Sequence, residues 1–246
     1  MKSIAFAPLA AALIALAACG QQESAGNSGS ASAVAAKAPP AGTTWAQKVS
    51  LTPDGGLLMG NPDAPIKVLE FGSYTCSHCK DFSAESHEPI EAKYVNTGKV
   101  SFEYRNFIRD PLDMTVALLA RCAGPEAFFP LHTQLFANFE TMIKTIQGAG
   151  EGAYQAAMTA APNERFVKLA EMAGLIEFTK QRGLPEAKAR QCLADSANAE
   201  ALAKGVEKAN ADYQITGTPT LILNGSVLEN VASWPLLEER LKGAGA

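Results

Sequence analysis

Apolar and polar positions divide the chain into stretches of different period. Residues 66–73, IKVLEFGS, are a short β-prone run containing Val68 and Phe71, and the NPDAP before them supplies turn chemistry, so the run predicts a strand. In the next stretch, CKDFSAESHEPIEAKYVNTGK, Phe82, Ile90 and Tyr94 recur near helical spacing, and NTGK at its end is a stop signal. Pro89 within it predicts a kink rather than an end. Residues 100–108, VSFEYRNFI, alternate Val100, Phe102 and Tyr104 as a half-buried strand does. The order to this point is β, α, β.

From residue 111 to 214 the pattern changes. Ala, Leu, Glu and Lys dominate, and helix punctuation recurs at DPLD, GPEAFFP, APNERF, RGLPEAKA and DSANAE, which predicts several helices in succession. Apolar and β-branched residues return in TGTPTLILNGSVLENV, from Thr216, around an Asn224-Gly225 pair that signals a two-residue hairpin. A helix over residues 234–241 closes the chain. The pattern predicts an α/β fold: a β-rich frame, residues 45–110 and 215–246, split by a helical insertion over residues 111–214, with strands and helices packed as layers.

The 246 residues are 47% hydrophobic, enough to bury a full core. A net charge of −4 with no Lys/Arg-rich block leaves no electrostatic footprint for nucleic acid. At the start, Lys2 precedes IAFAPLAAALIALAA, the charge-then-apolar order of a secretory signal peptide over residues 1–18. The run ends in LAAC, which resembles the lipobox of bacterial lipoproteins and implies cleavage before Cys19 and lipid on that cysteine. Ordinary cleavage, leaving Cys19 as a spare thiol, is the alternative. Almost nothing large and apolar follows as far as residue 44, so residues 19–44 predict a lipidated, flexible tether and the folded part starts near Trp45. No other run approaches the roughly 20 apolar residues of a membrane span, so anchorage would rest on lipid alone.

With Cys19 assigned to the lipobox, Cys76, Cys79, Cys122 and Cys192 remain as two pairs. Three connectivities are open, and an adjacent pair plus a distant pair is the simplest in an exported, disulfide-permissive space. Cys76 and Cys79 sit in YTCSHCKDF, at the first strand-to-helix junction. Thiolates, not thiols, attack disulfides, and a helix that starts at Cys76 aims unpaired N–H groups and the positive end of its dipole at that sulfur. His78 adds a donor and, when protonated, a positive charge between the sulfurs. Cys79, one turn on, is close enough to bridge. The alternatives are a stapling disulfide or half of a metal site, although zinc needs four ligands and no second C-x-x-C or H-x-x-x-H occurs.

VLEFGSYTCSHC followed by a helix, a helical insertion and TGTPTLILNG near the C-terminus together resemble the DsbA-like branch of the thioredoxin-fold thiol:disulfide oxidoreductases, over residues 59–242. The resemblance implies a thioredoxin-like fold with an inserted helical domain, no cofactor or metal, and an enzyme that introduces disulfides into exported proteins. It implies Cys76 as the exposed nucleophile and Cys79 as the resolving cysteine. Thr218 and Pro219 would share a cis bond facing the pair and leave backbone free for an extended substrate strand. Glu70 matches a buried acid of the family, which with a raised pKa could relay the proton of Cys79. Implied partners are reduced exported proteins and a membrane protein that reoxidises the pair. The implied setting is a monomer in the periplasm, anchored through Cys19. Without the cysteine motif, Pro219 reads as a strand-start proline and Glu70 as a solvent-facing glutamate.

Two departures matter. Ser77 stands where enteric members carry proline, and Thr218 where they carry another residue, so the redox potential and direction of electron flow stay open. An envelope reductase or isomerase on the same fold is one alternative, although residues 20–44 are too small and polar for the dimerisation module of such isomerases. A non-enzymatic metal- or partner-binding lipoprotein is the other. Cys122 and Cys192, both in apparent helices, would close a loop of about 70 residues as a structural disulfide, two buried thiols being the alternative. His132 and the recurring Phe128, Phe129, Phe136 and Phe139 predict a core face. Arg105 and Arg109 are expected as surface charges.

Overall fold

The computed structural model describes Met1 and residues 33–246. The expected signal peptide, Cys19 and the tether as far as residue 32 lie outside the described residues.

Six strands form one sheet: β1 (Val49–Leu51), β2 (Leu57–Gly60), β3 (Ile66–Gly72), β4 (Val100–Asn106), β5 (Thr220–Leu223) and β6 (Ser226–Val227), in the order β1-β2-β4-β3-β5-β6. β3 and β4 are parallel, in register from Ile66↔Val100 to Gly72↔Asn106, and the other neighbours are antiparallel. Parallel neighbours need a crossover. Here it is α1 (Ser77–Pro89), which continues as a π-helical turn, Ile90–Tyr94, and a 3-10 turn, Val95–Thr97. Proline brings no N–H to the helical ladder, so the chain changes helix type at Pro89 and ends at Gly98, φ 74°. Between β5 and β6, Asn224 (φ 50°) and Gly225 (φ 85°) make the expected tight turn.

Side chains alternate across β3. Ile66 and Val68 enter the large core under α1, whereas Leu69 and Phe71 meet Ala209 and Ile222 on the opposite face. Glu70 therefore points with Val68, toward α1.

Eight helices fill the insertion: α2 (Pro111–Cys122), α3 (Pro125–Ala137), α4 (Phe139–Gly148), α5 (Glu151–Met158), α6 (Pro162–Met172), α7 (Leu175–Lys180), α8 (Glu186–Leu193) and α9 (Ser196–Tyr213), with α10 (Trp234–Gly243) closing the chain. Proline opens α2, α3, α6 and α10, where its missing N–H costs nothing. Val116, Ala117, Leu118, Leu119 and Ala120 of α2 are all fully buried, so this helix is the centre of the insertion, against α3, α6, α8 and α9. One contiguous core takes residues from frame and insertion alike. Phe128, Phe129, Phe136 and Phe139 belong to it, as does buried His132, hydrogen-bonded through Nδ1 to the Tyr74 hydroxyl at 2.8 Å. Cys122 and Cys192 are joined, S–S 2.04 Å, which ties α2 to α8.

Three features depart from the pattern read in the sequence. The β1–β2 hairpin was not anticipated. Second, residues 33–44 are not a free tether, because the Val34 N–H donates to the Gly245 carbonyl at 2.9 Å, the Lys37 N–H to the Thr97 carbonyl at 2.9 Å, and Trp45 Nε1 to the Lys37 carbonyl at 2.6 Å. Backbone bonding to helix ends, which composition does not register, holds this strap. Third, Arg105 is no simple surface charge. Its side chain is only 15% exposed and bonds Glu103 at 2.7 Å and Asp54 at 3.1 Å, while Arg109 is exposed as expected.

Candidate active site

β3 ends at Gly72, and four residues later Cys76 caps α1 with extended backbone, φ −99° and ψ 118°. Its sulfur lies under the loop before β5, where the Cys76 thiol donates to the Thr218 carbonyl at 3.1 Å. The Thr218–Pro219 bond is cis. Both cysteines are free thiols in this structure. Cys79 is 0% exposed and Cys76 only 5%, so the expected exposed nucleophile is the more accessible of the two but is roofed by the Thr218 loop.

The Cys76 thiol is lowered to about 5. The largest cause is the hydrogen bond from the Cys79 thiol; burial opposes it, and the Thr218 side chain and the backbone N–H groups of Cys79 and His78 add to it. The helix amides invoked from sequence thus contribute, behind the partner thiol. Residue 78 acts here through its backbone, while its imidazole faces solvent. The Thr218 hydroxyl is buried without a hydrogen-bond partner, available to donate once Cys76 is an anion. Cys79 is driven the other way, far above a free thiol, first by burial and then by its bond to Cys76 and the Glu70 charge. One sulfur is held as thiolate and the other as thiol.

Glu70 is 2% exposed, with Oε1 unpartnered, and is pushed up to about 8 by burial first and by Cys76 second. A Cβ on Gly72 would sit 2.8 Å from Glu70 Oε1 and 2.6 Å from the Tyr104 ring, so only glycine fits beside the acid. A cavity of about 10 Å³, the room of one water, is lined by Glu70, Ser83, Ser86, His87 and His132. The His87 side chain is 24% exposed, so this cavity reaches toward solvent.

Asp113, at the start of α2, is a site residue that the sequence did not reveal. It is fully buried and accepts from the Ser73 hydroxyl at 2.6 Å, the Tyr74 N–H at 2.8 Å and the Arg109 N–H at 3.0 Å. Burial lifts it to about 7 against those donors. Asp110 caps the same helix by accepting from the Asp113 N–H and also takes the Thr75 hydroxyl. Two acids at the mouth of the insertion therefore hold the Ser73–Thr75 segment that presents Cys76. DPLD was legible as helix punctuation, and nothing local in it marked the partner loop 40 residues away.

A family model described as thioredoxin matches residues 52–242, and the chain belongs to that family. A Rickettsia prowazekii relative provisionally named a protein-disulfide oxidoreductase is 28% identical over 178 residues, 72% of this chain and 57% of the relative. This chain thus spans just over half the length of that relative. Disulfide bond formation protein D of Bacillus subtilis is 26% identical over 195 residues, 76% of each chain. The crystal structure of a protein-disulfide isomerase from Novosphingobium aromaticivorans superposes with a TM-score of 0.73 at 34% identity, over 76% of this chain and 96% of that one.

Proposed function

We propose that the chain is a thiol:disulfide oxidoreductase that introduces disulfides into exported proteins through Cys76 and Cys79. The observation that carries this reading is the placement of the two sulfurs, Cys76 at the start of α1 under the cis Thr218–Pro219 loop and Cys79 fully buried one turn on, an arrangement that favours a Cys76 thiolate beside a Cys79 thiol. A stabilised thiolate is a good leaving group and favours the reduced enzyme, which makes the disulfide form an oxidant.

The steps follow from the positions. A substrate thiolate attacks Cys76 Sγ of the oxidised pair, the Cys76–Cys79 bond breaks, and Cys79 leaves with the electron pair. Buried as it is, Cys79 takes a proton, and Glu70, protonated at neutral pH, is the donor, recharged through the water-sized cavity toward His87. A second substrate thiolate then attacks the substrate sulfur of the mixed disulfide, so Cys76 departs as thiolate and two electrons have passed to the enzyme. Thr218 and Pro219 receive the substrate backbone beside Cys76. A membrane protein reoxidises the pair. The chain acts in the periplasm, held by lipid at Cys19; the mass of the mature N-terminus tests that anchor.

Oxidative refolding of a reduced, unfolded protein is lost in Cys76→Ala; undiminished activity there would refute the reading. The reduction potential fixes the direction: a value near about −120 mV marks an oxidant, one near about −270 mV a reductase. The isomerase name of the 34%-identical structure favours a second use of the same chemistry. Rearrangement of a scrambled, fully oxidised substrate by the reduced enzyme measures it.

A further inference from the structure

On the α9 side of the sheet, away from the cysteine pair, a partly open cavity of about 70 Å³ lies among the β1–β2 turn, the ends of β3 and β4, α2 and α9. At roughly 10–15 Å³ per water, it has room for about five waters or one tetrahedral ion. Its walls are mixed apolar and polar, and two of the polar side chains in them are unsatisfied. Asn106 is only 6% exposed, yet neither Nδ2 nor Oδ1 has a partner. Arg121 lines the same space with Nη1 buried and unpartnered, and its guanidinium forms no ion pair among the described residues. Buried amides are ordinarily hydrogen-bonded and buried guanidinium groups ordinarily paired.

The other charges there are already matched. Asp54 is held by Arg105 at 3.1 Å and by Lys208 at 3.9 Å; Arg105 also bonds Glu103, and Lys208 bonds Asp212. That leaves Arg121 as the uncompensated charge; Asn198, in the first turn of the 18-residue α9, also lines the wall, its N–H already donated to the capping Asp195 at 3.1 Å. A cation is excluded by Arg121 and an apolar ligand by the bare amide. Asn106 sharpens the choice, since its Nδ2 needs an acceptor and its Oδ1 needs a donor. An ion with both O⁻ and O–H satisfies them together, where a fully deprotonated oxyanion leaves Oδ1 bare.

We propose that this cavity binds a small protonated oxyanion of the hydrogen phosphate or bicarbonate class, held by the Arg121 guanidinium and the Asn106 amide. Such an ion ties β4 of the frame to α2 and α9 of the insertion, and it stabilises the fold by mass action. It is independent of the thiol chemistry.

The test is thermal unfolding of the full chain in phosphate, bicarbonate, sulfate and chloride at equal ionic strength and pH. Phosphate or bicarbonate is expected to raise Tm saturably, with a folding constant about 100-fold larger at a hundredfold excess over Kd. The stronger of the two identifies the ion, and sulfate, lacking the proton, ranks below both. Arg121→Gln removes an unpaired buried charge, keeps the fold and abolishes the response, and Asn106→Leu does the same by filling the space. Arsenate, which carries the same proton, gives anomalous density between residues 106 and 121 in soaked crystals. An equal Tm response to all four salts, an unaltered response in Arg121→Gln, or ordered waters alone in the cavity would overturn the proposal.

Discussion

Cys76, Glu70 and Asp113 are three ionisable groups whose acidities are set by burial and by their immediate partners, with Cys76 acting on Glu70. Titrating reduced protein, thiolate absorbance is expected to appear near pH 5 for Cys76, with none from Cys79 in the neutral range. Glu70 gives a prediction with a definite sign. Its proton is bound more tightly in the native state, about 8 against an ordinary value of 4.5, so stability is full below pH 4.5 and is lost as pH rises through 8. Glu70→Gln removes that loss. Urea unfolding at pH 8 should find it more stable than wild type by about a few kcal/mol, with the gap closed at pH 4. Disulfide transfer by the same variant should be slower, because Cys79 loses its proton donor. Asp113→Ala strands the Ser73 hydroxyl and two backbone N–H groups. A loss of about 2–4 kcal/mol is expected, together with a higher Cys76 pKa as the Ser73–Thr75 segment loosens. An unchanged Cys76 titration would mean that Asp113 serves the fold alone.

At the scale of elements, the strap and the distant disulfide are the two features that close the fold on itself. Gly98 takes φ 74°, and a Cβ there would lie 2.2 Å from the Lys37 carbonyl oxygen and 2.7 Å from Trp45 Nε1. Gly98→Ala therefore pushes the strap off, and about 1–3 kcal/mol should be lost together with protease resistance at residues 33–44. The Cys122–Cys192 bridge spans 70 residues of sequence, so opening it should lower stability by up to about 4 kcal/mol. The elements with a strong period were readable in the sequence: β3, β4, the hairpin of β5 and β6, and the helix after Cys76. The strap and β1 were not, since β1 has three residues, none of them buried, and the strap is held by backbone bonds. The same contrast runs through the site. CSHC and TPT announce themselves by residue type and spacing, whereas Asp113 and the Glu70 cavity exist only where distant segments meet. Glu70 was in view through its family likeness, and the strand alternation that buries it needed the sheet.

For the whole molecule, redox state and folding stability are linked through the Cys76 charge. Unfolded, that thiol has its ordinary pKa of 9.0, and in the native reduced state it is lowered to about 5. A depressed pKa contributes stability that is complete above pH 9 and is lost as pH falls through 5. The oxidised protein has no such thiol. At pH 7 the reduced form therefore carries roughly 3 kcal/mol that the oxidised form lacks, against the modest gain from a disulfide that closes only a four-residue ring. Glu70 complicates the measurement, because its charge and the Cys76 charge repel and the pH spans over which each changes stability overlap between about pH 5 and pH 8. Asp113 titrates in both redox states and cancels. The comparison is thus cleanest in Glu70→Gln, with Tm of the reduced and oxidised proteins followed by calorimetry from pH 4 to pH 9. Reduced minus oxidised Tm should be flat below pH 5 and then climb, by roughly 5–9 °C between pH 5 and pH 7 for a chain of this size. A difference that stays constant across that range would mean that no thiolate is stabilised by the fold, and the oxidant would lose its driving force.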